Sequence, residues 1–229
     1  MAIPFCITET DTDEYIKYNK ETDFYIFDTH YGSKAIRRIE EELVKRNGTV
    51  QIIFTNQIIE SDFSFVNILN RWGHSELWFS PNIVRMQIMD HRVVFASLMP
   101  YDTDVYIANI PFTDIIKAFR IANHICNQTN LYQIGYNIQL LLVAHHVLAQ
   151  LLNVHIEENA ENDDYNPSDP SSWTEGVFCS QVVLLFLKEC VIQNVLEIPD
   201  TEKKRRFLAV YSKTCLPHDL EWLLKETWD

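Results

Sequence analysis

Hydrophobic and polar positions along the chain change period several times, and each change marks an element. Asp23–Asp28 is a short apolar and aromatic run that predicts a strand. From Lys34 to Arg46, apolar residues at Ala35, Ile36, Ile39 and Leu43 follow helical spacing, with charge on the opposite face. Asn47-Gly48 stops that helix, and Val50–Thr55 predicts another strand. The first 56 or so residues thus resemble a strand–helix–strand unit. Residues 8 to 22 are polar and charged and are expected to be a mobile start. Ser61-Asp62 opens a short helix through Leu69 that ends near Gly73.

Beyond Gly73 the period becomes two. His74–Phe79, Val84–Met89 and Arg92–Leu98 predict a meander of three strands, the first turn carried by Ser80-Pro81-Asn82. Val105–Ile110 is expected as a fourth strand. Phe112–Cys126 predicts a helix with Thr113-Asp114 near its start, broken by 127–130. Residues 137–153 predict a long, largely apolar helix packed on the sheet. A further helix is predicted from Cys179 to Val195, and a last one from Pro217 to Lys225. The fold expected is α+β: an antiparallel meander carrying His74, packed on the helix that starts at Cys179, with an N-terminal strand–helix–strand extension.

Composition narrows the reading. The chain has 229 residues, 47% of them hydrophobic, enough for one substantial domain. A net charge of -13 argues against general binding to nucleic acid or anionic membranes. Five widely spaced cysteines without a CxxC point to a reducing, cytoplasmic setting. No signal peptide and no apolar run long enough to span a bilayer is visible. Acid concentrates at Glu157, Glu158, Glu161, Asp163, Asp164 and Asp169, a solvated loop or a lid before the next element. The cluster Lys203-Lys204-Arg205-Arg206 reads as a solvated face rather than a phosphate site.

The chemistry concentrates in Gly176-Val177-Phe178-Cys179-Ser180-Gln181-Val182-Val183. The glycine ends a loop, and an apolar helix follows the cysteine, so Cys179 falls at a helix N-terminus. There the unpaired N–H groups and the macrodipole favour a thiolate, which is the nucleophilic form. The competing reading is a packing cysteine, since free cysteine is commonly buried. A thiol nucleophile also needs a base and a group to orient that base. His74 is a candidate base, although a histidine beside apolar residues is commonly structural. The two lie 105 positions apart (179 − 74), so only folding can join them.

Trp72-Gly73-His74-Ser75-Glu76-Leu77-Trp78-Phe79 resembles the histidine strand of circularly permuted NlpC-type, papain-like cysteine peptidases, in the His-x-Glu-Leu form of phage and viral relatives. Phe178-Cys179-Ser180-Gln181-Val182-Val183 resembles their aromatic-Cys-Ser-Glu-apolar-apolar motif. Gly135-Tyr136-Asn137 resembles their Gly-x-x-Tyr-Asp segment. The resemblance spans about Trp72 to Leu220, with the histidine preceding the cysteine as in the permuted order. Gln181 and Asn137 stand where those relatives carry acids; neither is a core catalytic position. The resemblance implies residues 1–60 as an N-terminal extension and 61–229 as the hydrolase domain. It also implies amide, isopeptide or ester substrates in peptides, proteins or acyl lipids, and no cofactor.

The third polar residue is expected from the strand after the histidine. A turn pairing Phe79 with Val84 places Gln87 opposite Glu76 on the face of His74. Gln87 is therefore the first choice to hold the imidazole tautomer. A one-residue slip of the register would substitute Asp90 or Arg92; Asp90 is the second choice and Glu76 the third. His74-Ser75-Glu76 also matches the His-x-Glu of zinc deaminases, but the Pro-Cys-x-x-Cys they need is absent. His145-His146 lack an accompanying ligand set and are read as helix-surface or core residues. Two other classes stay open: a non-catalytic interaction module on the same fold, or an acyltransferase; assembly through the apolar helices is a third.

Overall fold

The computed structural model describes residues 16–19, 24–27, 34–55, 72, 74–80, 83–89, 92–96, 105–129, 179–210, 212 and 215–228. Their strands are β1 (Ile16–Asn19), β2 (Phe24–Phe27), β3 (Thr49–Thr55), β4 (His74–Ser80), β5 (Val84–Met89), β6 (Arg92–Ala96) and β7 (Val105–Ile110). Their helices are α1 (Lys34–Lys45), α2 (Ile115–Thr129), α3 (Cys179–Ile192), α4 (Thr201–Ala209) and α5 (Pro217–Trp228). The fold is α+β. The described strands form one antiparallel sheet in the order β1-β2-β6-β5-β4-β3-β7. No described helix is long and apolar enough to cross a membrane.

Three expectations change. Residues 16–19 are not a loose start: they form β1, paired along its length with β2 through Ile16–Phe27 to Asn19–Phe24. Alternating Ile16 and Tyr18 suit a strand, but four residues between polar neighbours carry little periodic signal. The expected strand, helix and strand of the N-terminal residues are present as β2, α1 and β3, but the two strands are not neighbours in the sheet. β2 joins β6, whereas β3 lies between β4 and β7. Residues before 60 thus supply three strands and α1 to the sheet that carries His74; position 60 itself lies outside the described residues. Finally, α2 starts at Ile115 rather than Phe112. Phe112 bridges to Leu196, and Asp114 caps the helix by accepting from Lys117 N at 2.9 Å. The expected helices at 61–69 and 137–153 lie outside the described residues.

The core sits on one sheet face under α1, α2 and α3. Val50, Ile52, Phe54, Leu77, Phe79, Met86, Val93 and Phe95 are buried there with Ile39, Leu43, Phe119, Ala122 and Phe186. Phe79 makes edge contacts with Phe119 at 5.2 Å and Phe186 at 6.4 Å between ring centroids. Burying each side chain of this size contributes about 1.5–3 kcal/mol. α1 ends at Asn47, which takes a left-handed φ of 50°, and Gly48 N donates to Leu43 O at 2.8 Å. A Cβ at 48 would meet Leu43 Cδ2 at 2.6 Å and the Leu43 and Ser80 carbonyl oxygens at 3.2 Å, so a larger residue would have to displace the Leu43 side chain.

α3 is apolar around its circumference because it is buried around its circumference. Val182 to Leu187 are all within 2% of complete burial. The helix packs against β4 on one side and against α2 and α5 on others. Its one strong cation, Lys188, is also buried and donates to Val210 O. α5 is pinned to the start of β4: Trp72 Nε1 donates to Glu221 Oε2 at 2.6 Å. Lys225 bonds the other Glu221 oxygen at 2.6 Å and lies 4.9 Å over the Tyr106 ring, which stacks on Trp72.

Candidate active site

The site forms where β4 begins and α3 begins. His74 is the first residue of β4 and Cys179 the first residue of α3. Phe79 packs on Phe186, which fixes the helix along the strand. From Phe79 back to His74 is five residues along the strand, about 17 Å. Seven residues back along the helix is about 10 Å. Strand and helix each run back from that contact to the residue where they begin. The Cys179 thiol and the His74 imidazole meet as hydrogen-bond partners. Ser180 Oγ donates to Cys215 O at 2.6 Å and so anchors the first turn of α3 to the segment before α5.

Burial is the largest influence on either group and opposes its charge. Mutual attraction outweighs it. The Cys179 charge and hydrogen bond, with the Glu76 carboxylate behind them, raise the imidazole from 6.5 to about 10. The imidazolium lowers the thiol from its ordinary 9.0, helped by backbone N–H groups of Ser75 and Ser180 that donate to the sulfur. Each group thus favours the charged form of the other. Cys126 and Cys190 show the contrast: burial drives both thiols well above 9.0. All four described cysteines, including Cys215, are free and buried. Cys6 lies outside the described residues.

Glu76 supports the histidine. Its carboxylate lies 3.6 Å from His74 Nε2 and 3.7 Å from Arg85 Nη1, and it accepts from Trp78 Nε1. Glu76 is 1% exposed and Arg85 6%, so both charges are compensated away from water. The placement follows from the strand: His74, Glu76 and Trp78 alternate onto one face, and Arg85 is the partner of Trp78 across the ladder. The β4–β5 register is the unslipped one, Phe79 opposite Val84 and Leu77 opposite Met86. Gln87 follows on β5, opposite Val94 of β6. The side chain of Gln87, the whole of Asp90, and Tyr136 and Asn137 lie outside the described residues. Of the three candidates for the orienting group, Glu76 is the one seen beside the imidazole. Arg85 and Trp78 were not singled out from sequence; a glutamate alternating between apolar neighbours on a buried strand is the signal that it needs such partners.

The basic cluster lies on α4, where Arg205 and Arg206 pair with Glu202 at 2.7 and 3.0 Å on an exposed face. No family model, curated protein or solved structure matches the chain.

Proposed function

We propose that the protein is a thiol hydrolase of amide, isopeptide or ester bonds, built on a permuted papain-like arrangement. Cys179 is the nucleophile, His74 the general base and then acid, and Glu76 the group that orients His74. The observation that carries this reading is the buried Cys179–His74 pair at a helix N-terminus. The permuted reading draws support from the chain order, histidine strand before cysteine helix.

In this reading the thiolate attacks the carbonyl carbon. With Nε2 turned to Glu76, Nδ1 is the ring nitrogen left for the thiol and the leaving group. The imidazolium protonates the departing amine or alkoxide, leaving a thioester. Neutral His74 then takes a proton from water, whose oxygen attacks the thioester carbonyl, and the thiolate is restored. An acyltransferase would use the same steps with an amine or alcohol in place of water. The N–H groups at the start of α3 have no partners within the helix and face the developing charge.

Iodoacetamide labelling followed by mass spectrometry tests the chemistry. At mildly acidic pH Cys179 should alkylate faster than Cys6, Cys126, Cys190 and Cys215. His74→Ala should remove that advantage, because it removes the positive partner and leaves the helix terminus. Equal labelling of all five, or an unchanged rate in His74→Ala, would leave a non-catalytic interaction module as the better reading.

A further inference from the structure

Among the described residues, buried side-chain polar atoms without a hydrogen-bond partner include Thr55 Oγ1, Ser75 Oγ, Asn123 Oδ1 and Glu189 Oε2. Two of these border the candidate dyad. Thr55 is the cross-strand partner of His74, and Ser75 is the next residue of β4. An unpaired buried hydroxyl destabilises a fold, so two bordering one dyad call for a reason other than packing.

Their positions differ. Thr55 and His74 share one sheet face, whereas Ser75 alternates onto the other with Leu77 and Phe79. That is the face on which α3 packs, as the Phe79–Phe186 contact shows. Ser75 therefore lies under the N-terminus of α3. Its own backbone N–H already donates to the Cys179 sulfur. The Ser75 side chain is 1% exposed, and a donor shielded from water acts more strongly on a nearby charge. It has no competing acceptor to leave.

We propose that Ser75 Oγ is a catalytic oxyanion donor, bonding the carbonyl oxygen of an acyl substrate as Cys179 attacks the adjoining carbon. This rests on the reading of Cys179 and His74 as an acyl-transfer pair. As the C–S bond forms, the carbonyl π electrons move onto oxygen. The Ser75 hydroxyl and the N–H groups at the start of α3 hold that negative charge without giving up a proton. When the electrons return, the bond to the leaving group breaks and His74 supplies the proton. Water then hydrolyses the thioester through a second oxyanion in the same place. Backbone and hydroxyl of Ser75 thus serve different states: the N–H steadies the resting thiolate, and the hydroxyl steadies the intermediate.

The two reactions of the sulfur separate this role from a structural one. Alkylation by iodoacetamide displaces iodide and builds no oxyanion; hydrolysis of p-nitrophenyl acetate builds one. Ser75→Ala keeps the backbone N–H and removes only the hydroxyl. Wild type, Ser75→Ala and Cys179→Ala would be compared for nitrophenolate release, for the pH profile of Cys179 alkylation and for thermal stability. Cys179-dependent hydrolysis should fall about 100-fold or more in Ser75→Ala. The alkylation profile should stay unchanged, and the melting temperature should not fall, since the lost hydroxyl had no partner. Unchanged hydrolysis, or parallel losses in hydrolysis, alkylation and stability, would overturn the assignment. If wild type and Cys179→Ala release nitrophenolate equally, the hydrolase reading itself fails and this assignment with it.

Discussion

At the scale of single residues, the charge on His74 depends on what stands behind it. The imidazole is raised to about 10 by the Cys179 thiolate and by Glu76, against the effect of burial. Glu76→Gln removes one of those charges and keeps an oxygen that can accept from Trp78 Nε1. The imidazolium then becomes less favourable, and with it the thiolate it stabilises. The pH window for Cys179-dependent hydrolysis should therefore narrow from both sides, the acidic limb moving up and the alkaline limb moving down. Arg85, 6% exposed, also loses a carboxylate at 3.7 Å. Breaking a buried pair of this kind costs about 3–5 kcal/mol, so denaturation should show a matching loss. A pH profile identical to wild type would remove Glu76 from the orienting role and return it to Gln87 or Asp90.

At the scale of elements, the site depends on two starting ends meeting, and α5 holds one of them. Glu221 is 4% exposed and joins Trp72 on one side to Lys225 on the other. Glu221→Ala removes the 2.6 Å acceptor of a buried indole and should destabilise the protein by about 1–3 kcal/mol. Because Trp72 lies two residues before His74, the same change should slow Cys179 alkylation. Glu221→Gln retains an acceptor for Trp72 and loses the ion pair with Lys225, whose side chain is 43% exposed. Partly exposed pairs of this kind are worth about 0–1 kcal/mol, so Glu221→Gln should stay close to wild type in both measurements. Equal effects from Ala and Gln would mean that charge, rather than the bond to Trp72, is what α5 contributes.

At the scale of the whole molecule, the coupled pair imposes a pH dependence on folding. His74 is raised, so alone it would stabilise fully below 6.5 and lose that contribution as pH rises to about 10. Cys179 is lowered, so alone it would stabilise above 9.0 and lose that contribution as pH falls. Over the range in which the folded pair holds one proton, bounded below by the lowered Cys179 thiol, the unfolded pair also holds one between 6.5 and 9.0, and the two slopes cancel. Below 6.5 the unfolded histidine takes up a second proton. Above 9.0 the unfolded cysteine gives up its last. The stability difference between wild type and Cys179→Ser should therefore be flat from about pH 6.5 to 9 and shrink on either side, measured by chemical denaturation. A difference that changes steadily across that plateau would mean that the folded pair does not hold a single proton there, and that His74 and Cys179 do not titrate as a coupled pair.

Local periodicity already carried most described elements. Strand β5 runs over the expected residues, α1 ends at Asn47-Gly48, and Cys179 opens α3, because alternation, helical spacing and breakers are properties of neighbouring residues. The β4–β5 register was legible too, since a short turn leaves few ways to pair the strands it joins. What neighbouring residues do not encode is which distant strands adjoin. That β3 separates β4 from β7, and that β2 reaches β6, depends on burying both flanks of one sheet. The site divides the same way. Cys179 and His74 were identifiable by residue type and motif, but their meeting depends on the packing of Phe79 against Phe186 many residues away. Glu76 beside the imidazole and the unpaired hydroxyl of Ser75 were decided only by tertiary structure, because burial and hydrogen-bond satisfaction are properties of the assembled fold.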